Sequence, residues 1–116
     1  MQDLRITFVQ ADQAWEDKTA NLEHYEDLLK SVTETDLVLL PEMFQTGFSM
    51  NVQALAEKME DSAGISWLKQ QAKEKQAAFY TSLIIEENGK YYNRGVFVQP
   101  DGSVTSYDKR KLFGMA

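Results

Sequence analysis

Within the first forty residues, the spacing of apolar positions changes from every second residue to every third or fourth residue. Over positions 4–9 the apolar Leu4, Ile6 and Phe8 alternate with Arg5, Thr7 and Val9, a two-residue period that is typical of a strand. From about Asp17 onward the apolar positions recur at helical spacing, which predicts an amphipathic helix. Positions 37–40 form an uninterrupted apolar run that stops at Pro41, as a short strand buried on both faces would. This β-α-β order predicts parallel strands in an α/β sheet.

The rest of the chain predicts further helices followed by antiparallel strands. Asp61 and Ser62 are suited to cap a helix whose apolar positions line one face, with Trp67 at the margin of that face. Asn88-Gly89 is a strong hairpin signal, and the Pro100-Asp101-Gly102 segment predicts a second turn. The remaining predicted elements are a weak helix over 52–59 and strands over 79–85, 91–98 and 104–107.

Composition narrows the class of protein. The chain has 116 residues, of which 43% are hydrophobic and 26% charged, and this composition is typical of a single globular domain. A formal net charge of −6 argues against nucleic-acid and anionic membrane surfaces, so small molecules or proteins are the expected partners. The sequence has no apolar run near the roughly 20 residues of a membrane helix and no signal-peptide pattern. We therefore predict a cytoplasmic location.

Glu42 is the first candidate for chemistry. It follows the apolar run 37–40 directly, and ligand crevices in open α/β sheets form at the carboxyl ends of strands. Met43, Phe44 and Phe48 are predicted to form apolar, substrate-binding walls around it. This pattern favours a carboxylate that acts as an acid or base. A helix-capping or solvent-facing carboxylate explains the same pattern about equally well.

The run 107–113 is the second candidate, and it combines Tyr-Asp, three basic residues and Leu-Phe. Adjacent charges usually belong to a solvated segment. The apolar Leu112 and Phe113 that follow them fit a strand end entering a crevice at least as well. For Arg110 and Lys111, solvent exposure, ion pairing and carboxylate recognition all stay open.

Three segments together resemble one known family. In chain order they are LLPEMFQTGF, then Tyr92-Asn93-Arg94, then PDGSVTSYDKRKLFGMA. They resemble the amino-terminal part of the nitrilase (carbon–nitrogen hydrolase) superfamily, in particular its omega-amidase-like branch. The resemblance covers essentially all of residues 1–116 and implies the amino-terminal portion of a four-layer α-β-β-α sandwich. It also implies a partial domain that lacks the carboxy-terminal half of that fold.

The resemblance assigns roles to individual residues. The family's catalytic set is a glutamate, a lysine and a cysteine; Glu42 matches the glutamate and Lys109 matches the lysine, while Lys111 replaces the usual histidine. In this mechanism the glutamate takes the thiol proton and later activates water, and the lysine stabilises the tetrahedral oxyanion. Asn93 matches an asparagine common in the family, which implies that it braces the crevice. A polar residue at a strand edge is an equally good interpretation of Asn93.

The chain contains no cysteine, and the family's nucleophilic cysteine lies downstream of the lysine motif. The first hypothesis is therefore an amidase acting on a small ω-amide, inactive as this chain alone and completed by the missing carboxy-terminal half. The resemblance further implies no metal, no organic cofactor and a homo-oligomer. The second hypothesis is a non-catalytic α/β binding or interaction module. The first predicts an uncovered apolar sheet face, and the second predicts a cooperative monomer.

Overall fold

The computed structural model describes residues 3–11, 13–47, 49 and 51–112. These residues form an α/β unit in which one five-stranded sheet carries its two longer helices on one of its faces. In chain order, the elements are β1 (Ile6–Phe8), α1 (Lys18–Leu29), β2 (Leu37–Leu39), α2 (Val52–Leu55), α3 (Ala63–Lys75), β3 (Ala78–Glu87), β4 (Lys90–Val98) and β5 (Val104–Leu112). The sheet and its helix layer confirm the predicted fold class.

The sheet is mixed, and its strands lie side by side in chain order. β1, β2 and β3 are parallel, as the β-α-β pattern predicts. β4 and β5 are antiparallel to their neighbours. The predicted hairpin turn joins β3 to β4, and its two residues, Asn88 and Gly89, have φ values of 54° and 76°. Two successive positive φ values match the right-handed twist of the flanking strands, which is why Asn-Gly favours this turn.

The longer helices begin at side chains that satisfy free backbone amides. Asp17 precedes α1 and accepts a hydrogen bond from the Ala20 amide at 3.0 Å. Ser62 precedes α3 and accepts one from the Ile65 amide at 3.0 Å, so Ser62 is the residue of the predicted Asp61-Ser62 pair that caps the helix.

The core lies between the two longer helices, α1 and α3, and one face of the sheet, which is called here the helix face. Trp67 of α3 was predicted at the margin of its helix, but it is buried between the rings of Phe44 and Phe79. The core residues on the helix face and on the two helices are Tyr25, Leu29, Val38, Leu40, Ile65, Leu68, Ala72, Phe79, Leu83, Ile85, Val96 and Val98.

The opposite face, called here the open face, is uncovered over much of the sheet. Side chains alternate between faces along a strand, and the register places Ile6 beside Leu37 and Phe8 beside Leu39. Positions 37–40 were predicted to be buried on both faces, but only the helix-face residues of that run are buried. The apolar residues of the open face, all exposed or half-buried, are Leu4, Ile6, Phe8, Leu37, Leu39, Tyr80, Phe97 and Tyr107.

Two predicted boundaries differ from the structure. The helix predicted over 52–59 ends at Leu55. After it, Glu57 pairs with the outer part of β3, where its amide donates to the Ile84 carbonyl at 3.0 Å. β3 extends well beyond the end of β2, so its backbone groups there need another partner. The last strand, predicted over 104–107, continues to Leu112.

Within the described part of the chain, every helix is too short or too polar to cross a membrane.

Candidate active site

Glu42 lies in the loop that leaves β2, as predicted. The peptide groups on both sides of it are bonded to β3: the Thr81 hydroxyl donates to the Pro41 carbonyl at 2.6 Å, and the Met43 amide donates to the Ser82 hydroxyl at 2.9 Å. Met43 adopts a left-handed conformation with φ of 50°, which is uncommon for a residue other than glycine. Its carbonyl accepts from the Gly47 amide at 2.8 Å, which closes the turn.

Lys109 occupies a β-bulge in β5. Asn93 of β4 pairs with Arg110, and the next residue, Arg94, pairs with Asp108, so Lys109 is the extra residue on its strand. A bulge changes the direction of the side chain at that position. The Lys109 ammonium donates to Glu42 Oε1 and forms an ion pair across 67 positions of sequence. The two side chains are 29% and 55% exposed, so the pair is accessible from solvent.

A partly buried ion pair holds the strand next to this bulge. Arg94 is only 7% exposed, and it donates to both oxygens of Asp108 at 2.6 and 3.3 Å and to Glu87 at 3.1 Å. The hydrogen bond to Asp108 raises the pKa of Arg94, outweighing the opposing effect of burial. Because Asp108 directly precedes Lys109, this pair fixes the strand on one side of the bulge.

The residues predicted to form apolar walls around Glu42 lie in different parts of the structure. Met43 is buried in a small cluster, which lies against Tyr91 and Leu112 and consists of Met43, Val52, Leu55 and Ile84. Phe44 was predicted to contact substrate, but it is fully buried in the main core. Its ring lies 5.6 Å from that of Tyr25 and 5.4 Å from that of Trp67, between centroids. Consecutive loop residues point in different directions, so the apolar pattern could not assign them all to one wall. Phe48 lies outside the described residues.

Asn93 is buried on β4, next to Arg94 and beside the bulge. Its Oδ1 has no hydrogen-bond partner among the described residues. Most buried polar atoms in proteins are hydrogen-bonded. The bracing role of Asn93 stays a prediction.

Glu57 was not singled out by any sequence pattern, yet it fixes the loop that carries Glu42. It accepts from Gln45 Nε2 at 3.0 Å, from the Ser62 hydroxyl at 2.7 Å, from the Gly64 amide at 3.1 Å and from Lys18 Nζ at 3.1 Å. Burial acts to raise the pKa of Glu57, but the hydrogen bonds from Ser62, Gly64 and Lys18, together with the Lys18 charge, lower it below its ordinary value. No periodic or turn signal marks such a residue, because its partners come from three separate parts of the chain.

The described residues contain no group of three or more histidine, cysteine, aspartate or glutamate side chains arranged to hold a metal ion.

The fold and the Glu42–Lys109 pair define the class of this chain: an α/β protein with a carboxylate–ammonium pair beside the ends of its strands. The chain belongs to the carbon–nitrogen hydrolase family, whose model matches residues 5–116. This match confirms the family indicated by the sequence motifs.

Individual relatives agree with that assignment. The chain is 39% identical over 116 residues to the omega-amidase YafV of Yersinia enterocolitica and 36% identical to that of Escherichia coli K12. XC1258 from Xanthomonas campestris, a CN-hydrolase superfamily protein solved with an arsenic adduct in its active site, matches with a TM-score of 0.89 at 38% identity, over 97% of this chain and 43% of that one. An N-terminal amidase bound to an Asn-Glu-Ala peptide shares the fold, with a TM-score of 0.83 at 21% identity, over 95% of this chain and 29% of that one.

The matches to the two omega-amidases cover 100% of this chain but only 44% of the length of each omega-amidase.

Proposed function

We propose that this chain supplies the base and the oxyanion-stabilising cation of an amidase that hydrolyses a small ω-amide, such as the half-amide of a dicarboxylic acid. The observation that carries this proposal is the contact between Glu42 and Lys109. The β2 loop and the β5 bulge bring an acid–base group and a fixed positive charge together at one edge of the site. Membership of a carbon–nitrogen hydrolase family supports the reaction class, and the names of the relatives suggest the ω-amide.

The proposed reaction needs a thiol. Glu42 takes the thiol proton, the sulfur attacks the amide carbon, and a C–S bond forms while the carbonyl oxygen becomes negatively charged. Lys109 stabilises that oxygen. The C–N bond then breaks, and ammonia leaves with the proton that Glu42 had taken. Water then attacks the thioester carbon while Glu42 accepts a proton from it. The C–S bond breaks, the carboxylic acid leaves, and Glu42 returns the proton to the thiolate.

The chain has no cysteine, so the thiol must come from outside it. We place it on the carboxy-terminal half of the same fold, which would also cover the open face. Leu4, Ile6 and Phe8 on that face are 66%, 44% and 72% exposed, and such a contiguous apolar surface favours a partner. We also propose that the completed protein forms a homo-oligomer, as the family resemblance implies. We also propose that this chemistry takes place in the cytoplasm.

The alternative, a self-sufficient binding module, is not favoured by the open face. A stable monomer of this size covers most of its large apolar residues, whereas here one face of the sheet stays exposed at Leu4, Ile6, Phe8 and Tyr107.

The proposal is tested by complementation. The chain is assayed for ammonia release from succinamate, alone and after co-expression with the carboxy-terminal segment of the Escherichia coli omega-amidase. We expect no turnover from the chain alone and turnover that is sensitive to thiol alkylation in the complemented protein. Glu42→Gln and Lys109→Ala should each lower kcat by about 10²–10⁴-fold, since each removes a charge that acts in the transition state.

Two matched variants serve as controls. Glu34→Gln removes an exposed carboxylate that pairs with Arg5, and Lys30→Ala removes an exposed lysine that pairs with Asp27. Both should leave turnover unchanged because neither residue contacts the Glu42–Lys109 pair. Turnover by the pure chain alone, or full activity of Glu42→Gln in the complemented protein, would refute the proposed function.

A further inference from the structure

We propose that Thr81 and Ser82, adjacent residues of β3, are positioning residues that hold Glu42 in contact with Lys109. We call them the hydroxyl pair. The inference rests on the proposed function for the meaning of the contact, but the contact itself is measurable without catalysis.

The hydroxyl pair bonds the backbone on both sides of Glu42. The Thr81 hydroxyl donates to the carbonyl of Pro41 at 2.6 Å, and the Ser82 hydroxyl accepts from the amide of Met43 at 2.9 Å. Neighbouring strand residues point to opposite faces of a sheet, so the two hydroxyls reach this short segment from opposite sides. Both side chains are 1% exposed, so water does not compete for these bonds.

The direction of the Glu42 side chain is set by its backbone, because the side chain itself is not packed against other residues. More than half of that side chain is exposed, and an exposed carboxylate is free to adopt several rotamers. The next residue, Met43, holds a positive φ, a conformation that surrounding contacts must maintain. With both flanking peptide groups bonded to β3, the Cα–Cβ bond of Glu42 keeps one direction.

Thr35 provides a matched buried hydroxyl elsewhere in the sheet. It is 5% exposed, and its hydroxyl accepts a hydrogen bond from the Thr7 hydroxyl at 2.8 Å and donates one to the Leu37 carbonyl at 3.2 Å. These contacts lie at the start of β2, while Glu42 follows the end of that strand. Removing the Thr35 hydroxyl therefore tests loss of a buried inter-strand hydroxyl without touching the Glu42 segment.

The experiment measures contact directly in this chain. A water-soluble carbodiimide joins a carboxylate to an amine as an amide only where the two groups touch, and mass spectrometry of the digested protein quantifies the Glu42–Lys109 product. Thr81→Val and Ser82→Ala should each lower its yield, because the loss of one hydrogen bond lowers the equilibrium constant for the positioned segment by about fivefold. Thr81→Ser keeps the hydroxyl and should restore the yield, and Thr35→Val should not change it.

A catalytic readout adds a second arm. In the complemented protein, Thr81→Val and Ser82→Ala should lower kcat and leave KM unchanged, because they misplace the base without altering substrate binding. Wild-type cross-linking in both variants would overturn the inference, whatever the turnover. Reduced cross-linking together with no turnover in any complemented protein would support the hydroxyl pair while refuting the proposed function.

Discussion

The two faces of the sheet carry similar apolar side chains in opposite surroundings. On the helix face, Val38, Phe79 and Val98 are completely buried beneath α1 and α3. On the open face, Phe8 is 72% exposed and Tyr107 is 54% exposed. Both alternate along their strands with residues of the other face, as core residues do. The comparison shows that apolar residues at every second position mark a face of the sheet that is suited to burial. This pattern does not show that anything in this chain covers that face.

The largest expected difference between the faces is in stability. Phe79→Ala on the helix face should lower the free energy of unfolding by about 3–5 kcal/mol, because it leaves a cavity in a packed core. Phe8→Ala on the open face should change it by less than about 1 kcal/mol, because most of that ring is already in water. Urea denaturation followed by circular dichroism measures both. Equal losses would mean that the open face is covered in solution.

A smaller effect is expected at the ion pair beside the bulge. Asp108→Asn leaves the buried Arg94 guanidinium with weaker partners and should cost about 1–3 kcal/mol, since hydrogen bonds to charged groups contribute that much. The same variant should reduce the carbodiimide product between Glu42 and Lys109, because the bulge loses its support. Asp27→Asn, which breaks an exposed pair with Lys30, should cost no more than about 0.5 kcal/mol. Similar losses from both variants would contradict the role of the Arg94–Asp108 pair.

The smallest expected effect is a pH dependence on the open face. Tyr80 stacks on Tyr107 and their hydroxyls are hydrogen-bonded. Burial, and then the hydrogen bond and charge of Tyr107, raise the pKa of Tyr80 from 10.0 to about 12. The unfolded chain therefore loses this proton first as the pH rises. The stability contributed by Tyr80 is fully present below pH 10 and is lost as the pH rises towards 12.

Tyrosinate absorbance in the near ultraviolet measures that titration. Tyr107→Phe removes the partner and should bring the pKa of Tyr80 closer to its ordinary value, whereas Tyr91→Phe, outside this pair, should leave the Tyr80 titration unchanged. An unchanged titration in Tyr107→Phe would show that burial alone raises the pKa.

Much of the fold was predictable because its signals are local. The cap at Ser62 and the Asn88-Gly89 turn depend on residues within a few positions of one another. The parallel order of the first strands follows from the β-α-β order of the elements. The resemblance to a known family also selects Glu42 and Lys109, which lie far apart in the sequence. Phe44 was misplaced because adjacent loop residues share an apolar character but not a direction.

Other parts of the site depend on pairing between distant segments. Glu57 gathers donors from Lys18, Gln45, Ser62 and Gly64, and none of these spacings is a recognised pattern. The Lys109 bulge exists because the β4–β5 register shifts by one residue between Asn93 and Arg94. The spacing of apolar residues alone would have predicted uninterrupted pairing between β4 and β5.

By itself, the sequence determined the local elements, the acidic surface, the absence of any thiol and the two residues that match a catalytic motif. Periodicity, capping and turn chemistry act over a few residues, so they can be recognised without the fold. Only the tertiary structure decided that Glu42 meets Lys109 across 67 positions and that one face of the sheet is left open. Both outcomes depend on strand register and on what packs against the sheet, and these are set by contacts between segments far apart in the chain.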